Sequence, residues 1–586
     1  MGKDSAAPEY IATARHSLAH VLAKAVCELF DDVKLGIGPN IDNGFYYDFD
    51  LPHTLKEEDF SKIEAKMTEI INRDMAFTRR VVDNAKEVFA GDPYKLELIT
   101  EFSEAGSEIT AYDLGDFCDL CAGPHVESTR ELRNWGFSLA SVAGAYWRGN
   151  SDNAMLQRVY VHAFPTRQEL KKYHQMLEEA KKRDHRVLGN QLDLFFLDET
   201  APGMPYWLPK GLKLYNTLMD FVRGTIEARG YQEICGPQLN NRSLWEVSGH
   251  WEHYQDNMFT VKISDDNIMA LKPMNCPNAI KAFGRKNRSY RELPLRYADM
   301  SVIHRKEVSG TLHGLMRVQA FRQDDAHIFL TEQQIYDEIN RIFDITDKMY
   351  GVFGLSYRPV LSTRPEQGYL GDIATWDSAE DALKKVLDSR FGGEYEINEG
   401  DGAFYGPKID VYLKDALGRE WQMCTIQLDF QLASRFDIHY VDNDGRQKPP
   451  IIIHRTIIGA FERIIGVLIE HYAGKFPFWL SPVQIGVVPV HTEHEEYAQK
   501  ITETLRASGY RTNIDTSDGT MGNKIKSFRH EMVPYIVILG EKEIENNTIS
   551  LRSRNGTQIN DISLESFMTV CQKLEKERLS ELIELF

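Results

Sequence analysis

The sequence contains no long apolar run and little cysteine. No stretch approaches the roughly 20 consecutive apolar residues that a helix needs to span a bilayer, and the N-terminal stretch MGKDSAAPEY lacks the apolar core of a secretory signal. Seven cysteines in 586 residues, an odd number at wide spacing, are not a disulfide framework. These absences exclude a membrane-spanning or disulfide-stabilised secreted protein, and they predict a cytoplasmic one.

Positive charge is also in deficit, because 68 lysines and arginines stand against 87 acidic residues, for a net charge of −19. This balance disfavours non-specific binding to nucleic acid, since phosphate contacts need lysine and arginine. Net charge does not reveal a local basic patch, so a specific RNA partner stays possible. The length predicts three or four domains, each able to bury a core.

Changes of sequence texture divide the chain. Apolar residues recur at the helix period between residues 10 and 30. A capping box from Thr166 to Glu169 opens a charge-rich stretch that closes at Gly189, which predicts a helical linker. From about residue 483, strand-like and helix-like segments alternate, which predicts an α/β domain with a largely parallel sheet. The predicted domains are therefore 1–163, a linker at 164–188, a central body at 189–482 and a C-terminal domain at 483–586.

One cysteine and two histidines from distant stretches carry metal-binding chemistry. Cys276 stands in KPMNCPN, His327 in QDDAH and His454 in IHR. One thiolate and two neutral imidazoles supply three ligands to Zn²⁺ and leave a fourth position for a substrate. Each residue alone is weak support, because a lone cysteine or histidine is more often a core or surface residue. The surrounding sequence strengthens the interpretation.

Three segments surround these residues: GLKLYNTLMDFVRGTIEARGYQEICGPQL (211–239), VIHRKEVSGTLHGLMRVQAFRQDDAHIF (302–329) and IIIHRTIIGAFERIIGVLIEHY (451–472). In this order they resemble the three motifs of class II aminoacyl-tRNA synthetases, and the zinc set is similar to that of the bacterial threonyl-tRNA synthetases. The resemblance covers nearly the whole chain. It implies an α+β multidomain protein with an antiparallel catalytic sheet, an N-terminal α+β editing domain and a C-terminal α/β anticodon-binding domain.

The resemblance implies ATP-dependent activation of L-threonine, followed by transfer to tRNA(Thr). Attack on the α-phosphorus of ATP requires arginines and Mg²⁺ to neutralise the phosphates. Arg305 is expected on the α-phosphate and the carboxylate, and Glu307 on the adenine amino group. The other residues expected at ATP are Arg317, Lys408, Gln422, Thr425 and Arg463. The residues expected at threonine are Met274, Gln323, Asp325 and Gln427. Ala460 departs from the pattern, which has serine there.

Zinc gives the predicted site its selectivity. Threonine and valine are near-isosteres, and an apolar pocket separates them poorly. A metal that binds both the amino group and the side-chain hydroxyl rejects valine but accepts serine. One missing methyl group changes binding by only ~1–3 kcal/mol. The chain is therefore expected to contain a second site that hydrolyses seryl-tRNA(Thr).

The N-terminal region contains a candidate for this second site. HSLAH supplies His16 and His20, and CAGPH supplies Cys121 and His125. The spacing by itself is typical of a zinc site, whereas the resemblance is to the editing domain of threonyl and alanyl synthetases, whose threonyl branch acts without metal. We favour the metal-free interpretation, which predicts one zinc per subunit, in the catalytic site. The resemblance adds Lys95 and Asp119 to the editing residues.

The resemblance also implies partners. The first motif predicts a homodimer, with a strand that holds Pro237 at its interface, and Glu543 and Arg552 are expected to read the anticodon. Family members usually carry a further ubiquitin-like N-terminal domain, whereas this sequence starts at the editing helix, either naturally or after trimming. Two alternatives stay open: a synthetase for another amino acid such as serine, and a synthetase-like regulator that binds RNA without charging it. The ATP arginines and the zinc ligands disfavour the regulator.

Overall fold

A computed structural model of the chain describes residues 7–150, 152–264, 267–308, 310–579 and 582. The chain forms two compact units, Met1–Glu179 and Ala180–Phe586, here called the N-terminal and the C-terminal unit. Within the described residues, no helix combines the length and apolar character that crossing a membrane requires.

The N-terminal unit is built from antiparallel sheets and helices. Its helices are α1 (Pro8–Leu29), α2 (Glu57–Asn72), α3 (Ala85–Val88), α4 (Pro93–Glu104) and α5 (Arg167–Arg183), which runs into the boundary between the units. Its strands are β1 (Lys34–Leu35), β2 (Asn40–Ile41), β3 (Gly44–Asp50), β4 (Phe77–Val81), β5 (Thr110–Leu114), β6 (Phe117–Leu120), β7 (Gly136–Tyr146) and β8 (Met155–Phe164). One sheet has the order β1-β3-β8-β7, with β2 paired to β3, and β4-β5-β6 form another.

Helix α1 carries the two histidines of the HSLAH motif. Pro8 stands in its first turn, where a missing N–H costs nothing. The middle of the helix is buried against β3 and α2, and its small side chains Ala19 and Ala23 allow this close packing. His20 is buried, and His16 is partly exposed one turn earlier.

The central part of the C-terminal unit spans the predicted catalytic body. Its helices are α6 (His185–Gln191), α7 (Pro209–Glu227), α8 (Arg242–Ser248), α9 (His250–Tyr254), α10 (Cys276–Phe283), α11 (Ile335–Phe353), α12 (Ile373–Phe391), α13 (Leu432–Arg435) and α14 (Phe461–His471). Its strands are β9 (Phe195–Phe196), β10 (Tyr206–Trp207), β11 (Gln232–Glu233), β12 (Leu239–Asn241), β13 (Thr260–Ser264), β14 (Asn267–Leu271), β15 (Arg288–Ser289), β16 (Leu295–Ala298), β17 (Val302–His304), β18 (Ala320–Arg322), β19 (Ala326–Leu330), β20 (Ser356–Ser362), β21 (Glu396–Asn398), β22 (Lys408–Lys414), β23 (Glu420–Asp429), β24 (Tyr440–Val441), β25 (Gln447–Lys448) and β26 (Ile451–Thr456).

An eight-stranded sheet positions the site residues of this region. Its order is β11-β16-β19-β26-β23-β22-β20-β21, and all pairs are antiparallel except the two at its ends. The register places His327, His454, Gln427 and Lys408 directly opposite one another on four successive strands. Residues paired in this way share one face of a sheet. The predicted antiparallel catalytic sheet is confirmed.

The C-terminal region alternates strands and helices as predicted. Its elements are β27 (Ile485–Pro489), α15 (Glu495–Ala507), β28 (Thr512–Ile514), α16 (Met521–His530), β29 (Tyr535–Leu539), α17 (Glu541–Asn546), β30 (Ile549–Ser553), β31 (Gln558–Ile562) and α18 (Leu564–Glu577). The expectation of a largely parallel sheet is wrong, because only β28, β27 and β29 are parallel and β30 and β31 are antiparallel. The short connection through α17 cannot make a parallel crossover, and Asn555-Gly556 is a hairpin signal.

Two local predictions need correction. The linker is two helices, because Asp184 interrupts it and caps α6 by accepting from the N–H of Arg186; Gly189 therefore lies inside α6. The strand of the first motif ends at Glu233, so Pro237 lies beyond it. Proline offers no N–H, and the N–H of Gly236 donates to the Asp299 carboxylate instead of a neighbouring strand.

Candidate functional sites

Cys276, His327 and His454 meet at one point of the C-terminal unit. Cys276 begins α10, and the two histidines oppose each other on β19 and β26. Their candidate ligand atoms, the cysteine sulfur and one nitrogen of each imidazole, lie within 4.8 Å of one another. All three side chains are buried. The fold therefore brings together the three residues that the sequence suggested.

The chemistry of these side chains fits a bound cation. Burial lowers the pKa of His327 well below its ordinary value, which keeps the imidazole neutral, and its Nδ1 is buried with no hydrogen-bond partner in the described ranges. Burial raises the pKa of the Cys276 thiol, and Asp325 and Asp429 add to the effect. A divalent cation is the group that would hold a thiolate at such a position. The donor set suits Zn²⁺.

Three neighbours of the cluster were missed by the sequence reasoning. Asp429 Oδ2 lies 2.9 Å from His454 Nε2, and a carboxylate in this position orients a metal-binding imidazole. Asn275 donates to Asp325 at 3.0 Å, and His250 Nε2 lies 3.8 Å from the Cys276 sulfur. Asp429 follows Gln427 by two residues on β23, so the two side chains lie on the same face of the sheet. This two-residue spacing could have identified Asp429 from the sequence.

Apart from Lys408, which lines a neighbouring cavity, the residues predicted for ATP line one cavity of about 190 Å³. They are Arg305, Glu307, Arg317, Gln422, Thr425 and Arg463. Burial lowers the pKa of Arg463, and the charges of Arg305 and Arg317 lower it further. Three arginines close together in one cavity favour the binding of an anion.

Hydrogen bonds hold this cavity in shape. Arg463 donates to the carbonyls of Met316 at 2.8 Å and Gln422 at 3.2 Å. Arg317 and Glu307 form an ion pair at 2.8 Å. Because the Arg317 side chain is half exposed, the pair contributes about 0–1 kcal/mol at most. Either side chain can therefore turn toward a ligand at little cost.

Asp410 organises the far wall and was also missed. Its buried carboxylate accepts from Gln422 Nε2 at 2.6 Å and from Thr425 Oγ1 at 3.0 Å, and it pairs with Lys408 at 2.9 Å. Burial lowers the pKa of Lys408, but Asp410 and Asp401 outweigh this and raise it above its usual value. Lys408 is therefore held as a cation.

A second cavity, of about 380 Å³, adjoins the first. Lys408 lines this second cavity, as do all the residues predicted to bind threonine or the metal. The latter are Met274, Cys276, Gln323, Asp325, His327, Gln427 and His454. Tyr405, which was not predicted, orients Gln427 by donating to its Oε1 at 2.8 Å. The two cavities share four lining residues: Arg305, Gln323, Thr425 and Thr456. Arg305 therefore stands where the two cavities meet.

Ala460, where the family pattern has serine, lies in the wall of the arginine-lined cavity. It precedes α14 as the N-cap residue and provides no side-chain cap. A serine hydroxyl there could accept a helix N–H, which is typically worth about 1 kcal/mol. Alanine at this position therefore leaves α14 without a side-chain cap.

His185, the first residue of α6, bridges two other elements of the same unit. Its Nδ1 lies 2.7 Å from Glu470 Oε1 near the end of α14, and its Nε2 accepts from the N–H of Leu315 at 3.0 Å. Asp184, His185 and Glu470 lie close enough to hold an ion. Both imidazole nitrogens are already hydrogen-bonded, so the arrangement is better explained as a structural bridge.

The bridge acts on the loop that lines the arginine-lined cavity. Leu315 directly precedes Met316, whose carbonyl accepts from Arg463. Gly314 has φ of +51°, and a Cβ there would come within 2.0 Å of His185 Nε2. Only glycine therefore allows the imidazole to approach this loop.

The N-terminal unit contains a separate cavity of about 580 Å³, lined by His16, His20, Lys95, Asp119 and Cys121 among others. The Cys121 sulfur lies 3.4 Å from His16 Nε2 and 3.3 Å from His125 Nε2. Burial lowers the pKa of all three histidines, that of His20 to about 4. Burial raises the pKa of Cys121 to about 11. The candidate ligand atoms of this cluster also lie within 4.8 Å of one another.

A buried ion pair adjoins the cluster. Lys95 Nζ lies 2.5 Å from Asp119 Oδ1, and His20 Nε2 lies 3.7 Å from Asp119 Oδ2. Tyr47, which the sequence reasoning missed, donates to Asp119 at 2.5 Å. Burial raises the pKa of Asp119, but Lys95 and His20 outweigh this and hold it below its usual value. The carboxylate is therefore a fixed negative charge beside the cavity.

The two residues predicted for the anticodon lie in the C-terminal region. Arg552 is partly exposed on β30. Glu543 lies in the first turn of α17, where it accepts from the N–H of Gly540 at 2.9 Å and from the Ser550 hydroxyl at 2.6 Å. Its carboxylate therefore already stabilises the local fold.

Comparison with known proteins gives three family matches. Residues 259–472 match the tRNA synthetase class II core domain (G, H, P, S and T). Residues 484–574 match an anticodon binding domain. Residues 109–160 match the threonyl and alanyl tRNA synthetase second additional domain.

Individual relatives extend over nearly the whole chain. The threonine–tRNA ligase of Thermotoga neapolitana is 47% identical over 586 residues, which is 99% of this chain and 90% of that protein. The corresponding ligase of Carboxydothermus hydrogenoformans is 49% identical over 567 residues, 96% of this chain and 88% of that protein. A crystal structure of the RNA binding domain of threonyl-tRNA synthetase from Cryptosporidium parvum is 41% identical with a TM-score of 0.65, and covers 68% of this chain and 99% of that one.

The antiparallel sheet, the arginine-lined cavity and the core-domain match define a class II aminoacyl-tRNA synthetase. This class uses ATP with Mg²⁺, an amino acid and a tRNA. Within it, the chain belongs to the threonine–tRNA ligase family, and the predicted family and fold class are confirmed.

Proposed function

We propose that the chain activates L-threonine with ATP to threonyl-adenylate, transfers the threonyl group to the 3′ end of tRNA(Thr), and hydrolyses seryl-tRNA(Thr) at its N-terminal cavity. The junction of the two cavities at Arg305 carries this proposal. The arginine-lined cavity lies on one side of it, and the Cys276, His327 and His454 cluster lies on the other. Activation requires that the amino-acid carboxylate and the α-phosphate meet at such a place.

The arginine-lined cavity is assigned to ATP. Arg305 would hold both the α-phosphate and the threonine carboxylate, because two anions must approach each other during the attack. Arg317 and Arg463 would hold the γ-phosphate end and the adenine face, with Mg²⁺ neutralising the leaving pyrophosphate. Glu307 would leave Arg317 and accept from the adenine amino group.

The adjoining cavity is assigned to threonine. Cys276, His327 and His454 would hold one Zn²⁺, which as a Lewis acid would bind the amino group and the hydroxyl of the substrate. Asp325 would accept from the substrate amino group. Gln323, Gln427 and Met274 would enclose the rest of the substrate. Lys408, held as a cation by Asp410, is proposed as a catalytic residue together with Arg305 and Arg463.

The N-terminal cavity is assigned to editing. Hydrolysis of a seryl ester needs a positioned water and a base or a charge stabiliser. His16, kept neutral by burial, can accept a proton, and the Lys95–Asp119 pair supplies fixed charges beside the cluster. The corresponding domains are editing at 1–163, a linker at 164–188, catalysis at 189–482 and anticodon binding at 483–586.

His185 is proposed as a positioning residue for ATP. Replacing it with asparagine removes the acceptor for the Leu315 N–H, so the loop that carries Met316 and braces Arg463 loses a restraint. We expect the KM for ATP to rise about tenfold, the effect of losing one buried hydrogen bond, while the KM for threonine stays within twofold. Steady-state pyrophosphate-exchange kinetics measure the two KM values. Equal increases in both KM values would indicate a general loss of structure instead.

The first motif is proposed to form a homodimer interface. Strand β11 is at one edge of the eight-stranded sheet with both residues exposed, and Leu212 on the preceding α7 is 47% exposed. Unpaired strand edges and exposed apolar side chains are typical of interfaces. We expect sedimentation to give twice the chain mass at micromolar concentration. A stable monomer would contradict the proposal.

The C-terminal region is proposed to read the anticodon, mainly through Arg552. An arginine can bond a base edge bidentately or stack on it. Arg552→Ala should therefore raise the KM for tRNA(Thr) by about 10-fold or more, the ~1–3 kcal/mol of a lost bidentate contact. Pyrophosphate exchange should be unchanged because activation does not involve the anticodon. Equal losses in both assays would point to misfolding.

Threonine-dependent exchange of pyrophosphate into ATP is the experiment that tests the proposed function. We expect exchange with threonine, weaker exchange with serine and none with valine. A preference for serine would replace the proposal with a synthetase of another specificity, and no exchange with any amino acid would favour an RNA-binding regulator.

A further inference from the structure

A cavity of about 490 Å³ in the C-terminal unit is lined by basic side chains and has no part in the steps above. Its lining residues are Lys475, Lys526, Arg529, His530, Met532 and Arg554. They come from three separate places: the segment after α14, the end of α16, and the turn after β30. The fold therefore collects basic residues from both the catalytic and the C-terminal regions.

In the part of the chain that the structure describes, these basic side chains are not paired with acidic ones. In the ranges that the structure describes, none of these basic side chains has a carboxylate oxygen within 4.0 Å. The adjacent acid, Glu531, pairs with Lys210 at 3.0 Å and lines a different cavity.

Arg554 is anchored for this position. Its Nη1 donates to the carbonyls of Phe476 at 2.9 Å and Met532 at 3.0 Å, whereas its Nε is buried without a partner in the described residues. The two carbonyls therefore hold the Arg554 guanidinium at the cavity wall.

A purely structural explanation covers part of the group. Arg529 and His530 end α16, where basic side chains complement the helix dipole. Arg554 lies on another segment but donates to the carbonyl of Met532, two residues beyond α16, so it also supports this helix end. Lys475 lies on a third segment. Like charges brought together repel one another, so a group from three segments is best explained by an anion that binds among them.

We infer that this cavity binds backbone phosphates of tRNA. The inference rests on the proposed function and adds a contact surface to it. Arg554 follows Arg552 by two residues, so the phosphate contact would continue the chain segment proposed to read the anticodon. Phosphate contacts fix the position of an RNA without reading its sequence.

The test replaces two exposed residues of the cavity, in a K526Q/R529Q variant of the full chain. Removing two phosphate contacts should weaken tRNA(Thr) binding by about tenfold at about 50 mM salt, and should lower the slope of log K against log salt by about two. A matched K500Q/K573Q variant removes two exposed lysines of the same region outside the cavity. Filter binding over a salt series measures both constants, and thermal unfolding checks the fold.

The outcomes separate the explanations. A loss in K526Q/R529Q that exceeds the loss in K500Q/K573Q supports the inference. Equal losses in both variants, or an unchanged salt slope, would overturn it. Titration with inorganic phosphate forms a second arm: weaker phosphate binding with unchanged tRNA binding would assign the cavity to a free anion and also overturn it. Pyrophosphate exchange by the unmodified protein tests the proposed function separately, since it requires no tRNA.

Discussion

Replacing Cys276 with serine should remove the zinc and reduce threonine-dependent pyrophosphate exchange by more than 100-fold. Two imidazoles alone are too few ligands to hold the metal, and loss of even an outer partner of a metal ligand costs about 10–100-fold. A serine hydroxyl binds zinc weakly, so it does not replace the lost thiolate ligand. Elemental analysis of the purified variant and exchange kinetics measure the two effects.

The matched control is Cys235→Ser, which changes an exposed cysteine of the same unit. It should keep one zinc per subunit and full exchange. Asp429→Asn should be intermediate, because it keeps all three ligands and weakens only the support of His454. Full activity of a zinc-free Cys276→Ser protein with an intact unfolding transition would show that these residues do not form the amino-acid site.

Sequence motifs predicted the residues that line the two adjoining cavities, but they did not explain why these residues meet. Lys408, Gln427, His454 and His327 come together because four strands pair in a particular register. A shift of one residue would turn each side chain to the opposite face of the sheet. That register is fixed by packing across the whole sheet, which a local pattern does not contain.

The supporting carboxylates were beyond sequence reasoning for a related reason. Asp410 and Asp429 are buried and organise Lys408, Thr425 and His454. Acidic residues are mostly exposed, so burial is a poor expectation for any single aspartate. Only the three-dimensional arrangement identifies their cationic or imidazole partners.

Two errors in the predicted fold could have been avoided, because short sequence signals indicated the correct structure. The antiparallel end of the C-terminal sheet follows from Asn555-Gly556, a hairpin dipeptide between β30 and β31. The break in the linker follows from Asp184, a good helix cap, ahead of α6. His185 had no such signal, because its importance comes from contacts with Leu315 and Glu470, far away in the sequence.

Replacing His16 and His20 with alanine should leave threonine activation unchanged and allow seryl-tRNA(Thr) to accumulate. The two histidines line the cavity of the N-terminal unit, whereas the residues proposed for activation belong to the C-terminal unit. The amino-acid site separates threonine from serine by one methyl group, which gives only ~10–200-fold discrimination. Charging with labelled serine, followed over time, measures the accumulation.

The same variant separates the two interpretations of the His16, His20, Cys121 and His125 cluster. With His53→Ala as the control, a change to an exposed histidine outside the cavity, both proteins should contain one zinc per subunit if the cluster is metal-free. Burial raises the pKa of the Cys121 thiol to about 11 and also raises that of the Cys276 thiol, so thiol pKa does not distinguish the two interpretations. The four donor atoms are close enough to hold a cation, and a bound cation would itself deprotonate the thiol. Two zincs in the unmodified protein and one in the double variant would therefore establish a second metal site, and the spacing of the two sequence motifs would have been the better guide.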